Sequence, residues 1–415
     1  MSDDIGVLIK QAVFEPDPQK QMEQFRAIRK TAMDKGIYPA SIQGLYEAAG
    51  RGKFDKMTVP AINIRMLTYD VSRAVFRSAI KDKVGALIFE IARSEIGYTR
   101  QSPAEYVACV MAAAIKEGYK GPVFIQGDHY QFKQSAYAKN PEEETNAIKK
   151  LVQDSVEAGF YNIDIDASTL VDISKNDLSE QQAKNSQVTA EMTKFIRSIE
   201  PKGVTVSVGG EIGEIGKGNS TVEDLRAFMD GYLKLLPRGA KGISKISVQT
   251  GTTHGGVVLP DGSIAKVKIA FDTLKELSTT ARKEYKLGGA VQHGASTLPD
   301  EAFDHFPKMD TIEVHLATGF QNIVYDSPHF PKDLLARAYR YLDEKCVGER
   351  KSGDTDEQFH YNTRKKALGE FKKEMWNLPS ADLQAIMQEL EERFTLMFEK
   401  LNAVDTEKYI KEFIK

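Results

Sequence analysis

Residues 123–129 read Val-Phe-Ile-Gln-Gly-Asp-His. The run Val123-Phe124-Ile125 is apolar and strand-forming, too short for a helix, and it ends in side chains that can bind a metal or move a proton. Working outward, the same form recurs along the chain. Eight candidate strands follow: Val59–Asn63, Ala86–Ile91, Val123–Asp128, Asn162–Asp166, Val204–Glu211, Ser244–Gln249, Gly289–His293 and Thr311–Leu316. Segments of helical period separate them. Ser102–Glu117 carries Pro103 in its first turn, and Glu142–Ala158 is ended by Gly159. Leu178–Ile199, Val222–Leu236 and Lys266–Lys283 continue the rhythm. Eight strands with crossover helices predict an α/β protein, a (β/α)8 TIM barrel. A doubly wound open sheet would place a glycine-rich loop after the first strand. Asn63-Ile64-Arg65-Met66-Leu67 contains no glycine, which argues against it.

A barrel of this type takes ~250 residues, and the chain has 415. Residues 1–58 read as a helical lead-in, 59–330 as the barrel and 331–415 as a charged helical extension, packed on the barrel or on a partner subunit. A net charge of -3 and a hydrophobic content of 41% describe an ordinary globular chain. Neither nucleic acid nor an anionic membrane surface is indicated. Met1-Ser2-Asp3-Asp4 lacks the basic start of a signal peptide, and no apolar run reaches the ~18 residues that span a bilayer. A cytoplasmic protein with Cys109 and Cys346 as reduced thiols is expected.

Chemistry in a barrel sits at the C-terminal ends of the strands. His129, His254 and His293 each stand at such an end. Three neutral imidazoles with an open fourth position suit a catalytic Zn²⁺. Their separations, 125 and 39 residues, mean that only the fold brings them together. Gly255 and Gly294, directly after two of them, permit close approach of a ligand to the backbone. Asp166 and Glu211 are placed either to border a second metal position or to orient the histidines; a structural role is the alternative. Asp128 precedes His129, so on a regular strand it would face the other way; at a strand end it can turn toward a substrate. Glu214, in the turn Gly213–Gly218, is either a base on a mobile loop or a solvated glutamate. The eighth strand carries His315, followed by Thr318. Ser296 and the backbone of 251–256 and 293–297 offer donors to a phosphate.

Together these residues resemble the class II, zinc-dependent fructose-bisphosphate aldolase family. The likeness rests on Val59-Pro60-Ala61-Ile62-Asn63, Asp128-His129, residues 159–168, Glu211-Ile212-Gly213, Gly251-Thr252-Thr253-His254-Gly255 and His293-Gly294-Ala295-Ser296. Tyr361-Asn362-Thr363-Arg364-Lys365 resembles a basic segment near the family's C-terminus. The resemblance implies Zn²⁺ on His129, His254 and His293, with a second divalent or a monovalent cation beside Asp166 and Glu211. It implies Asp128 as proton donor to the aldehyde oxygen, Asn63 as a substrate contact, and Arg364 on a substrate phosphate, in this subunit or a neighbour. A small sugar phosphate as substrate and a homodimer or larger assembly follow from it. The departures are equally specific. The family's glutamate after the carboxylate strand has no counterpart at the matching place, leaving Glu214 or Glu223 as substitutes. Its eighth-strand asparagine is replaced by His315, and an acidic neighbour by Ala317. Cleavage of a fructose- or tagatose-bisphosphate-like ketose is therefore expected, with a sugar epimerase or isomerase on the same metal as the alternative.

Overall fold

The computed structural model describes residues 4–213, 218–252, 256–261, 263–265 and 269–414. It contains strands β1 (Ile37–Ala40), β2 (Val59–Asn63), β3 (Ile88–Ala92), β4 (Gly121–Gln131), β5 (Asn162–Asp166), β6 (Ser207–Glu211), β7 (Lys245–Val248), β8 (Ala290–Gln292) and β9 (Glu313–Leu316). Every pairing is parallel, in the order β4-β3-β2-β9-β8-β7-β6-β5, and β5 returns to β4 to close a (β/α)8 barrel. The strands are buried on both faces, as helix-covered parallel strands must be.

The lead-in departs from the helical reading at one place. Helices α1 (Ile5–Val13) and α2 (Pro18–Asp34) precede β1, and α3 (Gln43–Gly50) follows it. β1 lies along Gly121–Phe124 of β4, while β5 takes up pairing with β4 from Gln126 onward. The Asn162 side chain joins the two segments. It accepts from the Ile42 amide at 2.9 Å and donates to the carbonyls of Ala40 and Ile125 at 3.2 and 3.0 Å. Four residues with no alternation, including Pro39, give no periodic signal for such a strand. Pro39 is tolerated because β1 pairs on one side only.

Helix α3 closes the bottom of the barrel. Its Leu45, Tyr46 and Ala49 pack with Ala61, Ile88, Phe124 and Val291 in a layer of buried apolar side chains. The C-terminal extension wraps the outside of its own barrel. Helix Ser380–Lys400 packs on α4 (Thr68–Lys81), where the Arg77 guanidinium meets Glu391 and Ser78 donates to the Glu391 carbonyl at 3.2 Å. The Thr58 amide donates to the Leu401 carbonyl at 3.0 Å, and the amides of Gly85 and Ala86 both reach the buried Thr406 hydroxyl at 3.1 Å. Cys109 and Cys346 are free thiols, both buried. No helix among the described residues is long and apolar enough to cross a membrane.

Candidate active site

A cavity of about 390 Å³ opens at the C-terminal ends of the strands. The end of β4 shapes it. Gly127 pairs with Ile163 and Tyr130 with Ile165, so β4 carries one residue more than β5 there, and His129 takes φ 41°. This β-bulge overrides strict alternation. Asp128 and His129 both line the cavity, instead of facing opposite ways as they would on a regular strand. Gly127 makes the turn possible, because a Cβ there would stand 2.4 Å from the Tyr130 ring.

One side of the cavity is a donor cluster. His129 Nδ1 lies 3.1 Å from Asp166 Oδ2 and 3.0 Å from Glu211 Oε2. The His129 and His293 rings are 4.0 Å apart, and His293 Nε2 is 3.0 Å from the Ser247 hydroxyl. His129, Glu211 and His293 each bring a ligand atom within 4.8 Å of the others. Asp166 is also bonded by Gln131 Nε2 at 2.6 Å and by the Ser168 hydroxyl at 2.7 Å. Burial opposes charge on the Asp166 carboxyl, yet the bonds from His129, Ser168 and Gln131 hold it below the usual carboxylate range. Burial, reinforced by the Asp166 charge, pushes Glu211 up to about 7. Burial opposes the His129 imidazolium as well, and the charges of Glu211 and Asp128 override it, raising its pKa well above the ordinary histidine value. Two imidazoles and a carboxylate at such spacing, with a second carboxylate behind one imidazole, are a donor set that fits a divalent transition metal. His254, Gly255 and Glu214 lie outside the described residues.

The floor of the cavity is polar well into the barrel. His315 Nδ1 lies 3.1 Å from Asp128 Oδ1 and 3.0 Å from Glu90 Oε2; its Nε2 lies 2.6 Å from Glu313 Oε1. Its ring stands 3.9 Å from that of His293. Burial works against a charged His315, and the Glu90 and Asp128 carboxylates outweigh it. Beneath them the Lys245 ammonium is enclosed by Gln126, Asp164 and Glu313. Strand interiors in a barrel are normally apolar and branched; here the layer under the site is built of charges.

The opposite wall is cationic. Asn63, the expected substrate contact, does not line the cavity; it is buried behind this wall and donates to Glu95 Oε2 at 2.7 Å. Arg65 pairs with Glu95 at 2.6 Å and reaches the Thr318 hydroxyl at 3.2 Å. Gly294, Ser296, Thr318 and Lys365 complete this wall, and the Ser296 hydroxyl accepts from the Gly319 amide at 3.2 Å. No ion pair to Lys365 is found among the described residues. Burial, then the neighbouring Arg65 charge, holds its amine below the ordinary lysine value. Arg364 is placed elsewhere. Its guanidinium is buried between the rings of Tyr325 and Tyr361, 2.6 Å from both Asp326 and Asn322, and it does not line the cavity.

Sequence reading passed over Arg65, Glu90, Glu95, Lys245, Glu313 and Lys365. A signal existed for three of them. Glu90, Lys245 and Glu313 are charged residues on otherwise apolar strands, and a buried charge is the informative exception to burial statistics.

The sequence model for fructose-bisphosphate aldolase class II matches residues 41–392. No curated protein matches the sequence. Among solved structures, the chain is similar to the glycerol-complexed fructuronate-tagaturonate epimerase UxaE from Cohnella laeviribosi, with a TM-score of 0.63 and 12% identity over 92% of this chain and 86% of that one. It is similar to a probable tagatose 6 phosphate kinase from Sinorhizobium meliloti 1021, with a TM-score of 0.55 and 14% identity over 86% and 99% of the two chains. It is also similar to the fructose-bisphosphate aldolase Fba from Campylobacter jejuni, with a TM-score of 0.51 and 17% identity over 88% and 97%. At these identities the structures speak for the fold alone. The sequence match spans most of the chain and includes every strand of the closed barrel: the chain belongs to the class II fructose-bisphosphate aldolase family.

Proposed function

We propose that this protein is a divalent-metal-dependent aldolase that reversibly cleaves an anionic ketose, of the fructose- or tagatose-bisphosphate kind, into a dihydroxyacetone-type product and an aldehyde. One observation carries this reading: the two imidazoles of a donor cluster, an adjacent acid/base and a cationic wall line a single cavity, with Glu211 directly behind His129. His129, His293 and Glu211 would hold the ion, with Asp166 orienting His129. Zinc, when bound, supplies Lewis-acid polarisation of a carbonyl. The chain's own groups do the rest. Asp128 moves the proton of the hydroxyl at the cleaved bond. Arg65 and Lys365 hold the anionic end of the sugar, and the hydroxyls of Ser296 and Thr318 orient it. Asn63 lies behind this wall and acts through Glu95, to which it donates.

A second reading, epimerisation on the same metal, is favoured by His315. It places a second proton-carrying side chain in the cavity, 3.1 Å from Asp128, where the family's pattern has an asparagine. Purified protein assayed for metal, then for turnover of fructose 1,6-bisphosphate, tagatose 1,6-bisphosphate, fructuronate and tagaturonate with and without chelator, separates the two. Chelator-sensitive release of a triose is the expected result. Chelator-sensitive formation of an epimer with no triose would replace the first reading with the second. Turnover unaffected by metal removal would overturn both.

A further inference from the structure

Lys245, the first residue of β7, is fully buried inside the barrel. Its ammonium has three acceptors: Glu313 Oε1 at 2.5 Å, Gln126 Oε1 at 2.7 Å and Asp164 Oδ2 at 3.0 Å. The same groups reach further. Gln126 Nε2 donates to Glu313 Oε1 at 2.8 Å and to Glu90 Oε2 at 3.1 Å, and the Tyr46 hydroxyl of α3 bonds Glu313 from below. Space for the lysine is made by Gly209, where a Cβ would stand 2.2 Å from Asp164 Oδ1 and 3.0 Å from Lys245 Cε. Glu90, Glu313 and His315 converge as metal ligands would, yet the Lys245 ammonium already supplies a cation to Glu313.

Such a cluster is a poor device for stability alone. Buried ion pairs lose in desolvation much of what they gain by attraction, and apolar residues of equal volume often serve as well or better. What the cluster does provide is direction. Glu313 touches Lys245 and His315 through the same oxygen, Oε1, and His315 in turn meets Asp128 at the cavity floor. We infer that Lys245 is a positioning residue for the reaction: it anchors the Glu313 carboxylate beneath His315 and so fixes where the imidazole stands against Asp128. The inference rests on the reading that Asp128 and His315 face the substrate.

The test uses metal-loaded protein labelled at histidine Cε1 with ¹³C, and two variants. Lys245→Met removes the anchor but strands two buried carboxylates and can fail to fold. Lys245→Met combined with Asp164→Asn removes one charge of each sign and keeps both Glu313 and His315. In the double variant, the expected result is a displaced His315 resonance, assigned by His315→Gln, with the His129 resonance unmoved. Turnover of fructose 1,6-bisphosphate or tagatose 1,6-bisphosphate, whichever the wild type cleaves, should fall by about 100-fold in kcat with KM and metal content within twofold, the scale of an ångström's misplacement. A purely structural lysine would give a double variant that folds, leaves the His315 resonance in place and keeps its kcat, and that result overturns the inference. If the wild type turns over neither sugar, the aldolase reading fails, and the His315 resonance still decides the role of Lys245.

Discussion

One step of pleat separates two halves of the barrel with opposite chemistry. β3 presents Ile88 and then Glu90, β4 presents Phe124 and then Gln126, and β8 presents Val291, with His293 just past its end. Below the step, apolar side chains close on α3. Above it, Gln126 donates to Glu90 and to Glu313, and His293 stands against the Ser247 hydroxyl. The lower half can be judged by volume and the upper half by direction, because dispersion is indifferent to orientation and hydrogen bonds are not.

The sharpest way to break this contrast is to change one residue in each half. His293→Ala should take turnover below detection and lower bound metal as measured by mass spectrometry of the purified protein, with a small change in melting temperature; full metal content in the variant would remove His293 from the donor set. Phe124→Ala should do the reverse. It should cost about 3–5 kcal/mol of stability in denaturant unfolding through the cavity it leaves, with kcat preserved in the folded fraction. Gln126→Leu, two residues on, leaves Lys245 and Glu313 each a partner short, and should cost about 1–3 kcal/mol while also lowering kcat. Equal stability losses with kcat intact in both would erase the distinction.

A second contrast lies at adjacent residues. Lys365→Met should raise KM for a phosphorylated ketose by about 10- to 100-fold, the range of a lost charged hydrogen bond, at unchanged melting temperature. Arg364→Met, next to it, should lower the melting temperature by removing the partner of Asp326 and Asn322. The reverse pattern would restore Arg364 to the substrate. The smallest effect is a slope. Burial and then Asp166 raise Glu211 to about 7, above its ordinary 4.5. In metal-free protein this group therefore contributes stability that is complete below about 4.5 and lost as the pH rises through about 7. Glu211→Gln should flatten the melting temperature of the chelated protein across that window; an unchanged slope would place the titration elsewhere.

The strands were legible because each is a short apolar run bounded by turns, and a barrel needs them in that order. The meeting of two of the three histidines was legible for a related reason: once the strand ends are known, His129 and His293 fall beside one another whatever their distance along the chain. The β4 bulge was not legible, since alternation assigns Asp128 and His129 to opposite faces and only the pairing with β5 reveals the extra residue. Nor was the charged layer. Lys245 and Glu313 are 68 residues apart, and each taken alone counts against a buried strand; only the pairing makes either tolerable. Arg364 and Lys365 are neighbours of equal charge, and which one turns toward the cavity depends on the rings of Tyr325 and Tyr361.

The hydroxyl of Thr406 has a consequence for the order of events during synthesis. It receives the two amides that lead into β3, at Gly85 and Ala86, across more than three hundred residues. A nascent chain can pair its early strands long before Thr406 leaves the ribosome, but until then those two donors have no such acceptor. The N-terminal half of the barrel therefore lacks this clamp until a segment more than three hundred residues further along the chain has been made.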